Sequence, residues 1–378
     1  MKRTIVLLTV LLLATVCFAQ PPISQVLAFF CNQNFTSCPL GFDPTLPPIQ
    51  LSDGNLYVTT WWAGQGSANA GGTVFRAAPS GQGLVIHTFQ SSSIGGGFPN
   101  GEHPVIGFAE GSDGSLYGVT EQGGAYNNGV MYKLARTGSF QVLYNFCSLS
   151  GCPDGPGPLT LANDGNFYGA EFHTIFRITP QGGWSLIHAL DPTNEGTASS
   201  LIQASDGNFY GAGSLSLDQG TIFRVTPSGQ FTLLQQFQYG LEVSSNLVQA
   251  SDGYIYGATT GSGAGTGIFR MSLAGDIEFI HPMTQGEGYD PVQVLQASDG
   301  NLWGLSDFGN GSFFSITLSG TSITSGPFNC STTGCQPQGM MEGRDGNFYG
   351  TAIMGGNAPG LNAEGTVFKI AAGLGRHL

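Results

Sequence analysis

Positive charge is what this sequence has least of. Its 378 residues include 11 Lys and Arg against 24 Asp and Glu, for a formal net charge of −13. Nucleic acid and anionic membrane surfaces are both held by clustered cations, so the composition argues against either as a partner. What remains are neutral or cationic partners: a small molecule, a glycan or a protein. Reactive motifs are missing too. There is no Gly-x-Ser-x-Gly, no phosphate-binding loop and no His-Glu-x-x-His. With six His in all, a hydrolase triad has few members to draw on. Beyond Val16 no apolar stretch is long enough to span a bilayer.

Glycine is plentiful instead. The 60 Gly and 20 Pro make up about a fifth of the chain, which without pattern would suggest disorder. Here the glycines sit at turns between runs of Phe, Tyr, Ile, Val and Leu, so the chain reads as folded. Its first residues read as an export signal: Lys2 and Arg3, an apolar stretch from Ile5 to Val16, then Cys17-Phe18-Ala19 with small residues at the two recognition positions. Cleavage is expected after Ala19. A lipoprotein reading of Cys17 is poor, because Val16 is bulky for the preceding position. Losing Lys2 and Arg3 takes the net charge from −13 to −15. The expected division is therefore a signal at 1–19, a single mature domain at 20–378, and a secreted or periplasmic location.

A motif of the type Ser-Asp-Gly-Asn-Phe-Tyr-Gly recurs seven times, with turn aspartates at Asp53, Asp113, Asp164, Asp206, Asp252, Asp299 and Asp345. The gaps run from 42 to 60 residues, the spacing of propeller blades. In the second repeat, Pro104 to Ala109 reads as a strand, Asp113-Gly114 as a tight two-residue turn, and Leu116 to Thr120 as a second strand. A Gly-rich loop, a third strand at Val130 to Leu134, a turn at Thr137-Gly138 and a fourth strand at Phe140 to Phe146 complete it. The seventh repeat runs out after its third strand, Thr366 to Ile370. Gln25 to Cys31 mirrors Gln141 to Cys147, the fourth strand of another repeat. The predicted fold is all-β: a seven-bladed β-propeller of four antiparallel strands per blade, its last blade completed by the N-terminal strand.

Asp345 to Gly350 with Gly365 to Lys369, and Leu84 to Phe89, carry a further signal. They resemble the GloVer tandem repeats of secreted bacterial proteins over nearly the whole mature chain. The resemblance implies a propeller-like extracellular protein of undefined biochemical role. Many such proteins carry a C-terminal sorting anchor, and Arg376-His377-Leu378 does not match one. A looser resemblance, through Asp299 to Trp303, is to streptogramin lyase propellers, and it speaks for fold alone.

Six cysteines remain after the signal and fall in close pairs: Cys31/Cys38, Cys147/Cys152 and Cys330/Cys335. Each pair follows a Phe-bearing strand. Three local disulfides are expected in an exported chain; four thiolates from two blades converging on zinc are the alternative.

Among titratable residues, those recurring in every blade read as structural. His87, His188 and His281 all follow Ile in a fourth strand and are expected to hydrogen-bond within their own blades. The turn aspartates serve the turn, and the repeated tyrosines pack between blades. His103 and His173 fall outside that register, and with Glu102 and Glu171 they are the candidate acid/base residues. Six acids stand 9 to 11 residues ahead of their turn aspartates: Asp43, Glu102, Asp154, Glu195, Glu242 and Asp290, with Gln336 in the seventh repeat. They are expected around one mouth of the channel, either as a ligand-binding ring or as caps on nearby amides. No cofactor is implied. Calcium is the guest such a ring would suit, held at Glu102, Glu195, Glu242 and Asp290. Trp61 and Trp62 lie in a loop on the same face and suit a flat sugar. Two functions follow. One is a monomeric, non-enzymatic binding or scaffold module. The other is a lyase or hydrolase acting on a glycan or small cyclic molecule.

Overall fold

The computed structural model describes residues 23–30, 40–44, 46–62, 70–90, 97–146, 155–171, 173–215, 219–244, 246–261, 265–355 and 365–372. The strands form seven small antiparallel sheets. Blade 1 spans Ile49 to Gln90, blade 2 Glu102 to Asn145, blade 3 Thr160 to Ala189 and blade 4 Thr197 to Gln236. Blade 5 spans Leu241 to Pro282, with its first strand split in two, and blade 6 Pro291 to Pro327. Blade 7 runs from Cys335 to Ala371 and takes Ile23–Phe29 as its fourth strand. The chain is thus a seven-bladed β-propeller. Among the described residues no helix is long and apolar enough to cross a membrane.

The N-terminal strand closes the ring as expected. It pairs antiparallel with the third strand of blade 7, from Ile23 opposite Ala371 to Phe29 opposite Thr366. That covers an edge which would otherwise present unpaired backbone groups. Second strands are central and buried throughout, as in Leu56–Thr60 and Leu302–Ser306. Fourth strands are the outer edges and are half-exposed, as in Gly83–Gln90. The aromatics between them form the seams: Tyr57, Tyr210, Tyr256 and Tyr349 are fully buried, as are Phe167, Phe209 and Phe223. Burying each such side chain stabilises the fold by roughly 1.5–3 kcal/mol.

The repeated turn is one residue longer than the two-residue expectation. The Gly54 amide donates to Leu51 O (2.9 Å) and the Leu51 amide to Asn55 O (3.1 Å), leaving Ser52, Asp53 and Gly54 as the loop. Gly54 has φ 81°, so this is a three-residue hairpin with glycine in the left-handed bulge position. Asp53 accounts for its own place there. Its carboxylate accepts the Asn55 amide (3.0 Å), the Asn55 side chain (3.0 Å) and the Tyr57 hydroxyl (2.8 Å). Asp164, Asp206 and Asp345 make the same three bonds. The turn aspartates thus tie each hairpin to its buried tyrosine, or in blade 6 to Trp303, whose Nε1 donates to Asp299 at 3.2 Å.

Adjacent blades are clasped on this turn face by one recurring bond. The amide just before a turn aspartate donates to the Gln or Glu that ends the first strand of the next blade. Ser52 meets Glu110, Asn163 meets Gln203, Ser205 meets Gln249, Ser251 meets Gln296, Ser298 meets Glu342 and Arg344 meets Gln50, all at 2.7–2.8 Å. Between blades 2 and 3 the acceptor position holds Leu161, which is 40% exposed.

The three histidines of the fourth strands join blades rather than bonding within them. His188 Nδ1 lies 3.1 Å from Gly229 O of the next blade, and His281 Nδ1 lies 2.8 Å from Gly320 O of the next. His87 stacks on Phe140 of blade 2, with ring centroids 4.1 Å apart and planes 3° from parallel. Its buried Nε2 has no hydrogen-bond partner among the described residues, and burial pushes its pKa down to about 4. Fourth strands are edges of their own sheets, so their side chains face the neighbouring blade.

Candidate functional site

Opposite the turns, the loops after second strands meet the segments that enter first strands. In blade 1 the two are zipped together. The Phe42 amide donates to Trp62 O (3.0 Å), the Trp62 amide to Phe42 O (3.3 Å) and the Trp61 amide to Asp43 O (3.0 Å). The pairing holds both indoles at the rim. Across the seam, blade 2 begins with Gly101-Glu102-His103-Pro104, and His103 takes φ 54°. Asp43 (φ 61°) and Gln336 (φ 55°) take the same turn just before Pro44 and Pro337. A left-handed conformation at a non-glycine residue costs of order 1 kcal/mol or more. The compensation is tight seam packing. A Cβ on Gly72 of blade 1 would stand 2.7 Å from Pro104 Cδ, and one on Gly311 of blade 6 would stand 2.2 Å from Pro337 Cδ.

This turn lays His103 against both indoles. Its ring centroid is 5.1 Å from that of Trp61 and 4.2 Å from that of Trp62, both edge-on, and the two indoles are 6.2 Å apart. His103 is 6% exposed and Trp62 41%. Neither His103 nitrogen has a hydrogen-bond partner among the described residues. Burial lowers the His103 pKa below the usual histidine range, so the ring is neutral at pH 7 and carries one donor and one acceptor. Beside it, burial raises the Glu102 carboxyl above its ordinary value. The Glu102 stem lies against blade 1, where a Cβ on Gly71 would come within 2.4 Å of its Cβ. Four residues singled out in the sequence therefore converge at one seam: Trp61, Trp62, Glu102 and His103. The Asp43 backbone helps hold Trp61 there.

The remaining candidates lie apart. Glu171 ends the second strand of blade 3, where blades 1, 2, 5 and 6 hold Thr60, Thr120, Thr259 and Ser306. Burial pushes its pKa up to about 7, and its buried Oε1 has no partner among the described residues. His173 turns the other way, its Nδ1 3.2 Å from Gly196 O. Glu195 accepts from His188 Nε2 (2.9 Å) and from the Asp191 amide (2.9 Å), which is the capping role considered for these acids. Glu242 is exposed in the strand Leu241–Val243. Asp290 accepts the Asp307 amide at 3.1 Å, and Asp307 is raised first by burial and then by the Asp290 charge. Asp154 lies outside the described residues, as do Cys31, Cys38, Cys147 and Cys152. Cys330 and Cys335 form a disulfide. Among the described residues no three His, Cys, Asp or Glu side chains gather into a group that could hold a metal ion.

Sequence reading missed Glu287, which is 2% exposed. Its Oε2 accepts from Thr284 N, from Thr284 Oγ1 and from His281 Nε2, and its Oε1 from Ser322 Oγ at 2.8 Å. The missing clasp at Leu161 was also passed over. There the sequence did hold a signal, a Leu three residues before the turn aspartate where the other six repeats have Gln or Glu.

Comparison with known proteins fits this architecture. A family model described as Gloeobacter/Verrucomicrobia repeat matches residues 23–214, 171–305 and 213–376. No curated protein matches the chain in sequence. Similar solved structures include the virginiamycin B lyase of Staphylococcus aureus, at 17% identity and TM-score 0.60 over 92% of this chain and 99% of that one. A streptogramin B lyase matches at 16% identity and TM-score 0.56 over 86% and 93%. A periplasmic gluconolactonase of Pseudomonas aeruginosa matches at 17% identity and TM-score 0.53 over 75% and 86%. At such identities these likenesses establish the fold alone.

Proposed function

The chain belongs to the Gloeobacter/Verrucomicrobia repeat family, and from that premise we propose that it is an exported, non-enzymatic binding module. The loop-bearing face captures a neutral ligand with a flat ring. One observation carries this reading: Trp61 and Trp62 flank a buried, neutral His103 whose nitrogens have no partner among the described residues. An exposed indole offers an apolar plane to a sugar or other flat ring. The buried imidazole behind it packs edge-on against that indole and fixes its plane. Export is supported by the Lys2 to Ala19 segment and by the Cys330–Cys335 disulfide, which an oxidising compartment permits. In this reading residues 20–378 act as one domain.

A second reading rests on the raised Glu102 beside the depressed His103. A carboxyl raised by burial moves toward neutral pH, where general acid/base groups work. The chain would then be a lyase or hydrolase on a glycan or small cyclic molecule, with Glu102 and His103 as its acid/base pair.

One experiment separates the two. A glycan array is run on the mature protein alongside a lyase and glycosidase panel, with Trp62→Ala and His103→Gln in parallel. Binding without turnover that Trp62→Ala weakens at least tenfold is expected. Turnover lost in His103→Gln would favour the enzyme. An array and panel both blank would sink both readings.

A further inference from the structure

The turn face, opposite Trp61 and Trp62, carries a different irregularity. Six blade junctions are clasped there by a Gln or Glu acceptor, and the junction of blades 2 and 3 has Leu161 instead. Among the described residues the Ser112 amide, which would be the donor, has no such acceptor. At that same junction a cleft of about 370 Å³ opens, with Ser112 on its wall. This is the size of a small-molecule site, which typically falls at about 300–1,000 Å³.

The lining identifies the guest. Lys133 and Asp113 stand in the cleft as an ion pair, Nζ to Oδ2 at 2.5 Å. A charged ligand would have to break that pair, and a neutral one would not. Gln141 and Gln181 line the cleft from blades 2 and 3 and are both exposed. Each primary amide offers donors and an acceptor, as hydroxyl groups do. Leu143 and Pro180 supply an apolar wall. Polar edges that both donate and accept, beside an apolar surface, match a sugar ring with hydroxyls on its rim and C–H groups on its face.

We propose that the cleft between blades 2 and 3 is a second binding site, on the face opposite the indoles, which takes a single neutral sugar ring or a polyol of that size. Gln141 and Gln181 grip it. The two sites lie on opposite ends of the ring, so this inference does not depend on the proposed function.

The test titrates the mature protein with D-glucose, D-galactose, D-mannose and N-acetyl-D-glucosamine. Saturation-transfer NMR reports contact and calorimetry reports affinity. At least one sugar is expected to bind saturably. Gln141→Ala with Gln181→Ala should weaken that binding by about tenfold or more, since two hydrogen bonds are lost. Both side chains are exposed, so the variant should keep the wild-type circular dichroism. The titration is repeated in Trp62→Ala, where binding at the indoles is removed, and saturable binding that remains there reports the cleft. Absence of saturable binding by all four sugars would overturn the proposal. So would wild-type affinity in the double variant, or loss of binding in Trp62→Ala alone, which would move the sugar to the other face and support that reading instead.

Discussion

His281 Nε2 lies 3.0 Å from Glu287 Oε2, in a contact where both residues are almost completely buried. The other histidine nitrogen faces Gly320 O of blade 6, so the pair bolts blade 5 to blade 6. With an acceptor at each nitrogen, the ring donates to both only as the imidazolium. Burial opposes charge on Glu287, yet hydrogen bonds from Thr284, His281 and Ser322 outweigh it and hold the carboxyl below its usual value of 4.5.

A pH dependence follows from that sign. A carboxyl whose folded pKa is depressed stabilises the fold above its unfolded pKa, and the stability is lost as pH falls through the folded value. Thermal melts should therefore be flat above about pH 5 as far as this group is concerned, and should decline below pH 4.5. Glu287→Ala should cost about 3 kcal/mol at neutral pH by stranding buried donors. It should also flatten the acid limb. An acid limb as steep as in the wild type would show that Glu287 does not govern it.

Closure by the N-terminal strand predicts a severe truncation phenotype. Deleting Pro22 to Cys31 removes the pairing partner of Thr366–Ala371 and bares the edge of blade 7. Aggregation on expression, or a fall in Tm on the order of 10 °C, is expected. A truncated protein that stays soluble and melts like the full chain would contradict the role given to this strand.

The cysteine pairs make a covalent prediction. Mass mapping of unreduced peptides should recover Cys330–Cys335, and the same spacing logic extends to Cys31–Cys38 and Cys147–Cys152. Each closes a very short loop, so reduction should cost less than the typical 2–4 kcal/mol per bridge. Free thiols, or zinc bound in stoichiometric amount, would count against the local pairing.

At the indole cluster, structure and binding should separate. Trp62 is 41% exposed, so Trp62→Ala should shift Tm by no more than a degree or two while weakening array binding. His103→Ala empties a buried position between two indoles and should cost about 1–3 kcal/mol. Denaturant melts of the two variants provide the comparison. Similar stability losses in both would argue that the cluster is seam packing and nothing more.

Blade architecture was legible in the chain because its causes are local. Turn aspartates followed by glycine, alternating apolar strands and a blade-length period all act over a few residues, and a seventh repeat missing its fourth strand was enough to call for the N-terminal strand. Even the turn length needed the structure, since a two-residue and a three-residue hairpin share the same Asp-Gly signature. Partners across the seams were out of reach of such rules. Trp62 and His103 stand in different blades, and they meet because ring closure sets one blade's exit loop beside the next blade's entry. For the same reason the acids at one repeat position diverged: Glu195 met the His188 imidazole, whereas the stem of Glu102 met the flank of blade 1. Leu161 lies between these extremes. Its departure from the repeat can be read in a row of letters, but that the Gln or Glu it replaces would clasp the neighbouring blade is decided by the packing of two blades in three dimensions.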